Sequence, residues 1–328
     1  MIVVTGAAGF IGSNIVADLE ERGKGPVAVV DRFGEDERWR NLARRRVEAF
    51  VLPEHLDAWL DDNGRDVTAV VHMGAISATT ERDVDRLVAN NINFTVRLWD
   101  WCAGRGVPFV YASSAATYGG IETGFVDDDD VEAMAALEPL NAYGWSKKAT
   151  DILLCRRVAD GKPAPPQWAG LKFFNVYGPN EYHKGDMMSV ACKMFDQVRR
   201  DGRVTLFRSH RDGIADGDQR RDFVYVKDCT RTVAWLLDHP ACSGIFNVGS
   251  GQARSFLDIA RAMGRAVNVA VDVEFVDMPP AIRDRYQYFT QADMTKLRAA
   301  GMDATFTTLE EGISDYAGSY LARADRYR

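Results

Sequence analysis

MIVVTGAAGFIGSNIVADLEERG, residues 1–23, decides the fold. Ile2 to Thr5 is a short apolar run without alternation, the pattern of a strand buried on both faces. Gly6, Gly9 and Gly12 follow at once, and apolar residues then return at helical intervals. A strand that runs through glycines into a helix N-terminus makes an anion site, because unpaired backbone N–H groups and the positive end of the helix dipole face one point. In that frame Gly6 permits the tight turn, Gly9 lets a pyrophosphate approach the backbone, and Gly12 allows close packing of helix on strand. VAVVD, Val27 to Asp31, supplies a second strand ending in an acid 19 residues after Gly12, where a ribose hydroxyl would be held.

Working outward, further β-rich runs are VTAVVHMGA (Val67 to Ala75), PFVYASSA (Pro108 to Ala115) and GLKFFNVYG (Gly170 to Gly178). The segments between them, Asp83–Gly106 and Tyr143–Asp160, carry apolar residues at three- and four-residue intervals, as amphipathic helices do. Strand alternating with helix predicts an α/β fold with a doubly wound parallel (Rossmann) sheet. Ligands of such sheets bind beyond the carboxyl ends of the strands, where Met73 to Ser77, Ser113, Ser114 and Asn175 fall. The reading expects a nucleotide-cofactor-binding domain over 1–175, with returning segments near 219–250. A smaller α/β substrate domain over 176–328 is expected to be interleaved with it. FVYVKDC and GIFNVGSG read as two more strands, and Ser209 to Asp222 as a polar loop. The acidic insertion DDDDVEAMAALEPLN, Asp127 to Asn141, is expected to be a solvated excursion.

The 328 residues exceed the usual size of a single core, and 46% hydrophobic with 27% charged residues is an ordinary globular composition. A formal net charge of -7 argues against nucleic acid or an anionic membrane as the main partner. Five scattered cysteines without C-x-x-C or zinc spacing point to a reduced, cytoplasmic chain without a metal site. The N-terminus lacks the basic region of a signal peptide, and no run approaches the ~20 apolar residues of a membrane span.

In NAYGWSKKATD, Asn141 to Asp151, Tyr143 and Lys147 stand four residues apart at the start of an expected helix, so ammonium and phenol are neighbours. A free tyrosine ionises near pH ~10, and a nearby positive charge favours the phenolate. The pair is therefore a candidate base with its electrostatic aid. A lone Y-x-x-x-K reads first as a surface pair, so the rest of the chain must decide.

TGAAGFIG, YASSAATYG, Tyr143-x-x-x-Lys147, FNVYGP and RDFVYVKD together resemble the extended short-chain dehydrogenase/reductase superfamily of nucleotide-sugar epimerases and dehydratases. More narrowly, YASSAATYGG, PLNAYGWSK, FNVYGPNEYHKG and RYQYFTQADMTKLRAAG are similar to the ADP-L-glycero-D-manno-heptose 6-epimerase family, over nearly residues 1 to 318. The resemblance implies oxidation of a sugar carbon to a ketone and hydride return to the opposite face, at C6 of an ADP-heptose, in supply of the lipopolysaccharide inner core. It implies Tyr143 as base, Lys147 and the nicotinamide lowering its pKa, Ser114 orienting the reacting oxygen, and Lys184 as a second acid/base across the substrate. His183 is expected to be structural.

For the cofactor the resemblance implies Gly6, Gly9, Phe10, Ile11, Gly12, Asp31, Arg32, Arg38, Met73, Gly74, Ala75, Ile76, Ser77, Asn90, Lys147 and Val176. Asp31 alone favours NAD, whereas Arg32, Arg38 and the Arg44–Arg46 run favour a 2'-phosphate, and the family uses NADP. For the sugar nucleotide it implies Ser114, Asn175, Asp186, Lys193, Phe207, Arg208, Ser209, His210, Arg221 and Tyr286, with Arg221 suited to a diphosphate. Members form homo-oligomers. Departures are Asp186 in place of a small hydroxyl residue, Pro53 in place of a lysine, and a longer loop from Ser209 to Gln219. Among rivals, a 4,6-dehydratase carries an acidic pair where Ala115 and Ala116 stand here. A UDP-hexose 4-epimerase uses NAD and lacks the HKG lysine, and a silent dinucleotide sensor would not need Ser114, Tyr143 and Lys147.

Overall fold

Strand β1 (Ile2–Thr5) is buried at every position, and so are β2 (Val27–Val30) and β4 (Ala69–His72) on either side of it. Continuous Val/Ile/Ala runs are what a parallel sheet covered on both faces demands. The computed structural model describes residues 1–283 and 286–328, so Arg285 of the RYQYFT stretch lies outside the described residues. With β3 (Ala49–Val51), β5 (Phe109–Ser114), β6 (Trp168–Phe173) and β10 (Gly244–Val248) these strands form a seven-stranded sheet in the order β10-β6-β5-β4-β1-β2-β3. Every pair in it is parallel. The order reverses between β1 and β4, the switch point where a crevice opens at the carboxyl ends.

Alternate residues serve opposite faces of the sheet. Val4, Val29, Val71, Val110 and Leu171 pack in one layer with Ile15 and Leu19 of the first helix, Phe10–Glu21, and with Cys229 and Leu236 of the helix Val226–Asp238. Val3, Val30, Val70, Phe109 and Tyr111 pack in the other, with Leu98 and Trp99 of Phe94–Arg105 and Leu154 of Ala142–Ala159. A third core joins the helices Val190–Asp201, Phe256–Val267 and Leu309–Asp315. Two small sheets flank it: β11 (Ala253–Ser255), β9 (Arg220–Tyr225) and β7 (Asn175–Tyr177), and the pair β12 (Asp272–Val276) and β8 (Arg203–Phe207).

Three expectations from the sequence need correction. Residues 170–178 are two strands in different sheets. Phe174 turns inward against Tyr118 and Phe125, with ring centroids 6.2 Å from each, so the chain leaves β6 there and β7 pairs with β9. In FVYVKDC the strand begins earlier, at Arg220 inside the expected loop Ser209–Asp222, because residues 220–222 pair with β11; it ends at Tyr225, and Val226 already opens a helix. The acidic run is no solvated excursion. Asp127, 2% exposed, accepts the Asn247 N–H at 2.7 Å, and Asp129 accepts the Ile245 N–H at 2.6 Å. β10 is an edge strand whose outward N–H groups have no neighbouring strand, and carboxylates two residues apart match their two-residue repeat. Lys296 then pairs with Asp129 at 2.6 Å.

Candidate active site

The glycine turn is built without room for side chains. Gly6 has φ +65°, and a Cβ on it would lie 2.5 Å from the Gly74 nitrogen; one on Gly12 would lie 2.1 Å from the Gly6 carbonyl oxygen. Gly9 caps the first helix with no side-chain bond, and the first turn holds no acid, so its N–H groups stay available to an anion. Phe10 is buried and Ile11 half-buried behind the turn. At the end of β2, Asp31 accepts the N–H of Ala8 at 2.8 Å and of Arg32 at 2.7 Å. Burial raises its carboxyl above the usual range, against the opposing pull of these N–H groups and of Arg38. These features fit the pyrophosphate and ribose of a dinucleotide.

The basic residues around Asp31 divide into two groups. Arg38 forks onto Asp36, at 2.8 Å from Nη2, and its guanidinium lies over Gly34 beside Asp31. Arg32 is exposed, 3.4 Å from Glu54. The Arg44–Arg46 run is not part of the cleft as expected: Arg44 pairs with Asp325 and Arg45 with Glu20, at 3.1 Å, because the run lies against the C-terminal tail and the first helix.

At the carboxyl ends of β4 and β5 the candidate reacting groups assemble. Asn141 caps the helix Ala142–Ala159 by accepting the Gly144 N–H at 2.8 Å. A Cβ on Gly144 would meet the Ala116 carbonyl oxygen at 2.6 Å, so this glycine lets the first turn press against the 115–118 turn and sets Tyr143 beside Ser114. Ser114 Oγ accepts the Ala116 N–H at 3.1 Å. Lys147, 3% exposed, donates to the Ala112 carbonyl at 2.8 Å. Burial brings its pKa down to about 8, with Asp151 opposing. The expected lowering of the Tyr143 pKa is not what the residues alone produce: burial raises it, the Ser114 hydroxyl pulls the other way, and the Lys147 ammonium is turned to Ala112. Such a phenol needs a further positive charge close by to ionise near neutrality.

The loop Met73–Ser77 carries the cleft's floor. Gly74 N–H donates to Thr5 Oγ1 at 3.1 Å, Ala75 is half-buried, and Ile76 N–H donates to Asn91 Oδ1 at 2.8 Å. Asn90, the residue expected here, ties its amide to the Arg86 carbonyl at 2.8 Å on its own helix. Its buried neighbour Asn91 does the holding, returning a bond to the Ile76 carbonyl at 3.0 Å and another to Ser146 at 3.0 Å. The π-helical turn Val88–Asn93 aims it there. Sequence reading missed Asn91, and the NN doublet in an amphipathic run was its one signal.

Across the cleft, Val176 is half-buried and Asn175 exposed on β7. Arg221 on β9 is buried, lies 5.2 Å from the Tyr286 ring centroid and bonds the backbone carbonyls of Arg220, at 2.9 Å, and Gln287. Among the described residues no carboxylate pairs with it, and burial lowers its pKa. A buried guanidinium flanked by aromatic rings suits a phosphate, since phosphate would supply the missing charge. Phe207 meets Tyr286 edge to face at 6.4 Å. Arg208 and the Ser209 N–H both engage Asp216, and His210 Nε2 accepts the Met278 N–H at 3.2 Å, so the strand end 207–210 is already braced.

Lys184 lies in the turn Tyr182–Met187, its amine 5.2 Å over the Phe10 ring, toward the glycine turn. Burial lowers its pKa, and Glu181 opposes. Glu181, wholly buried, accepts from Ser189 Oγ at 2.7 Å and Tyr316 at 3.0 Å and anchors the turn. His183 faces Asn41 at 3.3 Å and burial takes its pKa to about 4, as a structural neutral imidazole. Asp186 is exposed, and its carbonyl accepts from Lys193 at 2.6 Å, which commits that ammonium to bracing the turn.

The NAD dependent epimerase/dehydratase family matches residues 2–249. The ADP-L-glycero-D-manno-heptose-6-epimerase of Nitratidesulfovibrio vulgaris is 48% identical over 333 residues, covering 100% of both chains. The crystal structure of the Helicobacter pylori enzyme of that name is 26% identical with TM-score 0.80, over 98% of this chain and 96% of that one. Thermus thermophilus UDP-glucose 4-epimerase, solved in complex with NAD, is 28% identical with TM-score 0.74, over 96% and 97%. The chain therefore belongs to the NAD dependent epimerase/dehydratase family, with ADP-L-glycero-D-manno-heptose-6-epimerases among its full-length relatives.

Proposed function

We propose that the chain interconverts the D-glycero and L-glycero forms of ADP-manno-heptose by epimerisation at C6, with NADP as its nicotinamide dinucleotide. The observation that carries the reading is the meeting, at one sheet switch point, of Ser114, Tyr143 and Lys147 with the glycine turn, opposite an Arg221 that has no carboxylate partner among the described residues. Full-length identity with heptose epimerases supports the choice of sugar. Arg32 and Arg38, flanking Asp31, support NADP over NAD.

A bound nicotinamide dinucleotide would supply the hydride acceptor and donor for C6 and, in its oxidised form, the positive charge that the phenol lacks. Tyr143 removes the C6 hydroxyl proton, and Ser114 orients that oxygen. Lys147, held by the Ala112 carbonyl, anchors the ribose. Arg221 grips the diphosphate between Tyr286 and Phe207. Asn175 and the strand end Phe207–His210 complete the sugar-nucleotide side, with Lys193 and Asp186 bracing the turn that carries Lys184. We read the chain as a cytoplasmic homo-oligomer.

The test is incubation with ADP-heptose in deuterated water. The expected result is inversion without deuterium at C6 and without net consumption of NADPH. Stoichiometric NADPH use, or conversion of UDP-glucose in place of ADP-heptose, overturns the reading. Mass spectrometry of the dinucleotide retained on purification decides between NADP and NAD.

Lys184 is the second acid/base in this reading. Lys184→Met is expected to lower kcat about 100- to 10,000-fold, the range of a lost acid or base, with NADP affinity unchanged. Loss of NADP affinity with kcat preserved at saturating cofactor would instead assign the amine above Phe10 to the pyrophosphate.

A further inference from the structure

Beneath the reacting layer lies a polar network that the chemistry above leaves without a task. Asp151 follows Lys147 by one helical turn and is wholly buried. Its oxygens accept from the Tyr111 hydroxyl at 3.0 Å, the Ser113 hydroxyl at 2.6 Å and the Lys172 ammonium at 3.0 Å. Lys172 also donates to Thr117 at 2.7 Å and lies 5.0 Å from the centroid of the Tyr118 ring. Ser113 and Lys172 are register partners on β5 and β6, and Lys147 reaches the Ala112 carbonyl one residue earlier. The helix bearing Tyr143 is thus tied to the strand bearing Ser114 at two successive turns, by Lys147 to Ala112 and by Ser113 to Asp151.

Stability alone does not account for such a pair, since replacing a buried ion pair by apolar groups of similar volume is often neutral or favourable. We propose that Asp151 is a positioning residue for the reacting pair: it fixes the Tyr143 helix against the Ser113–Ser114 strand end and supplies the negative charge that keeps Lys147 an ammonium. This rests on Tyr143 and Lys147 being the reacting pair. The Ser113 bond to Asp151 is charge-assisted, about twice as strong as one between neutral groups, so the carboxylate is the stronger tie between helix and strand.

The surroundings of Lys147 leave Asp151 as the charge that acts in its favour. Burial brings its pKa to about 8, and Asp151 is the opposing influence among the described residues. His72 on β4 is neutral, its pKa held to about 3 by burial and by Lys147 itself. Tyr143, on the same helix, is a phenol raised by burial, with the Ser114 hydroxyl opposing and the Asp151 charge adding to the rise. Around Asp151 stand Tyr111 and Ser113 from β5, Lys172 from β6, and Cys155 on its own helix, whose thiol burial pushes up to about 12.

The experiment compares Asp151→Asn, Lys172→Met and the double variant, reading kcat, KM, NADP affinity, melting temperature and the pH dependence of kcat. With burial bringing the Lys147 pKa down to about 8, wild-type kcat is expected to fall as pH rises through that region. Asp151→Asn is expected to lower kcat at least tenfold at pH 8, leave KM and NADP affinity within about threefold, and move that limb down by about one pH unit, the scale of a lost neighbouring charge. The double variant, with both charges gone, regains melting temperature but not the position of the limb. A wild-type limb in Asp151→Asn, or joint return of limb, kcat and melting temperature in the double variant, overturns the proposal. If Asp151→Asn does not fold, Ser113→Ala decides: the variant stays folded at the assay temperature with kcat down tenfold, and wild-type kcat refutes the positioning role. Near-normal turnover by Tyr143→Phe would instead refute the underlying reading.

Discussion

Tyr143→Phe is expected to lower kcat by about 100- to 10,000-fold, the contribution of a positioned acid or base, while NADP affinity and melting temperature stay close to wild type. The ring keeps its volume and its packing beside Ser114, so the loss isolates the phenolic oxygen. Gly144 and the Asn141 cap hold the first helical turn, and neither depends on that oxygen. Stopped-flow measurement of nicotinamide reduction with ADP-heptose is the direct readout, because the variant binds both partners and fails at the first proton removal. Wild-type interconversion by this variant would remove Tyr143 from the chemistry altogether.

Gly12→Ala is expected to produce a chain purified without dinucleotide, with NADP affinity reduced at least 100-fold. The added methyl would lie 2.1 Å from the Gly6 carbonyl oxygen and 2.7 Å from its carbonyl carbon. Both are backbone atoms, which cannot swing aside as a side chain can, so the turn and the first helix must part. Overpacking of this kind also destabilises by about 1–3 kcal/mol. Equilibrium titration of NADPH fluorescence, with circular dichroism to verify folding, checks both effects. A folded variant with wild-type affinity would show that the turn tolerates the shift and that close helix-on-strand packing is not required for binding.

How much of this could be read in the sequence follows from how far apart the interacting residues lie. The turn from Thr5 to Gly12 and the acid at Asp31 were legible because strand, glycines, helix and acid sit within thirty residues and each has its own signature. Tyr143 and Lys147 were legible as neighbours, yet not their environment: the carbonyl that takes the ammonium, Ala112, is 35 residues away. Asn91 escaped because its acceptor and donor at Ile76 and its contact at Ser146 come from other elements. The split at Phe174 reflects packing against Tyr118 and Phe125, which no local β-propensity encodes. Asp127 and Asp129 read as solvent-seeking because composition alone cannot show that Asn247 and Ile245 await them.

Those two carboxylates have a consequence for how copies of this chain can associate. With the outward amides of β10 occupied, a second molecule finds no template there on which to add a strand, so endless head-to-tail polymers cannot start from that border. The opposite border is the three-residue β3, too short to offer a lasting foothold. Neither border of the seven-stranded sheet therefore invites a strand from a second copy.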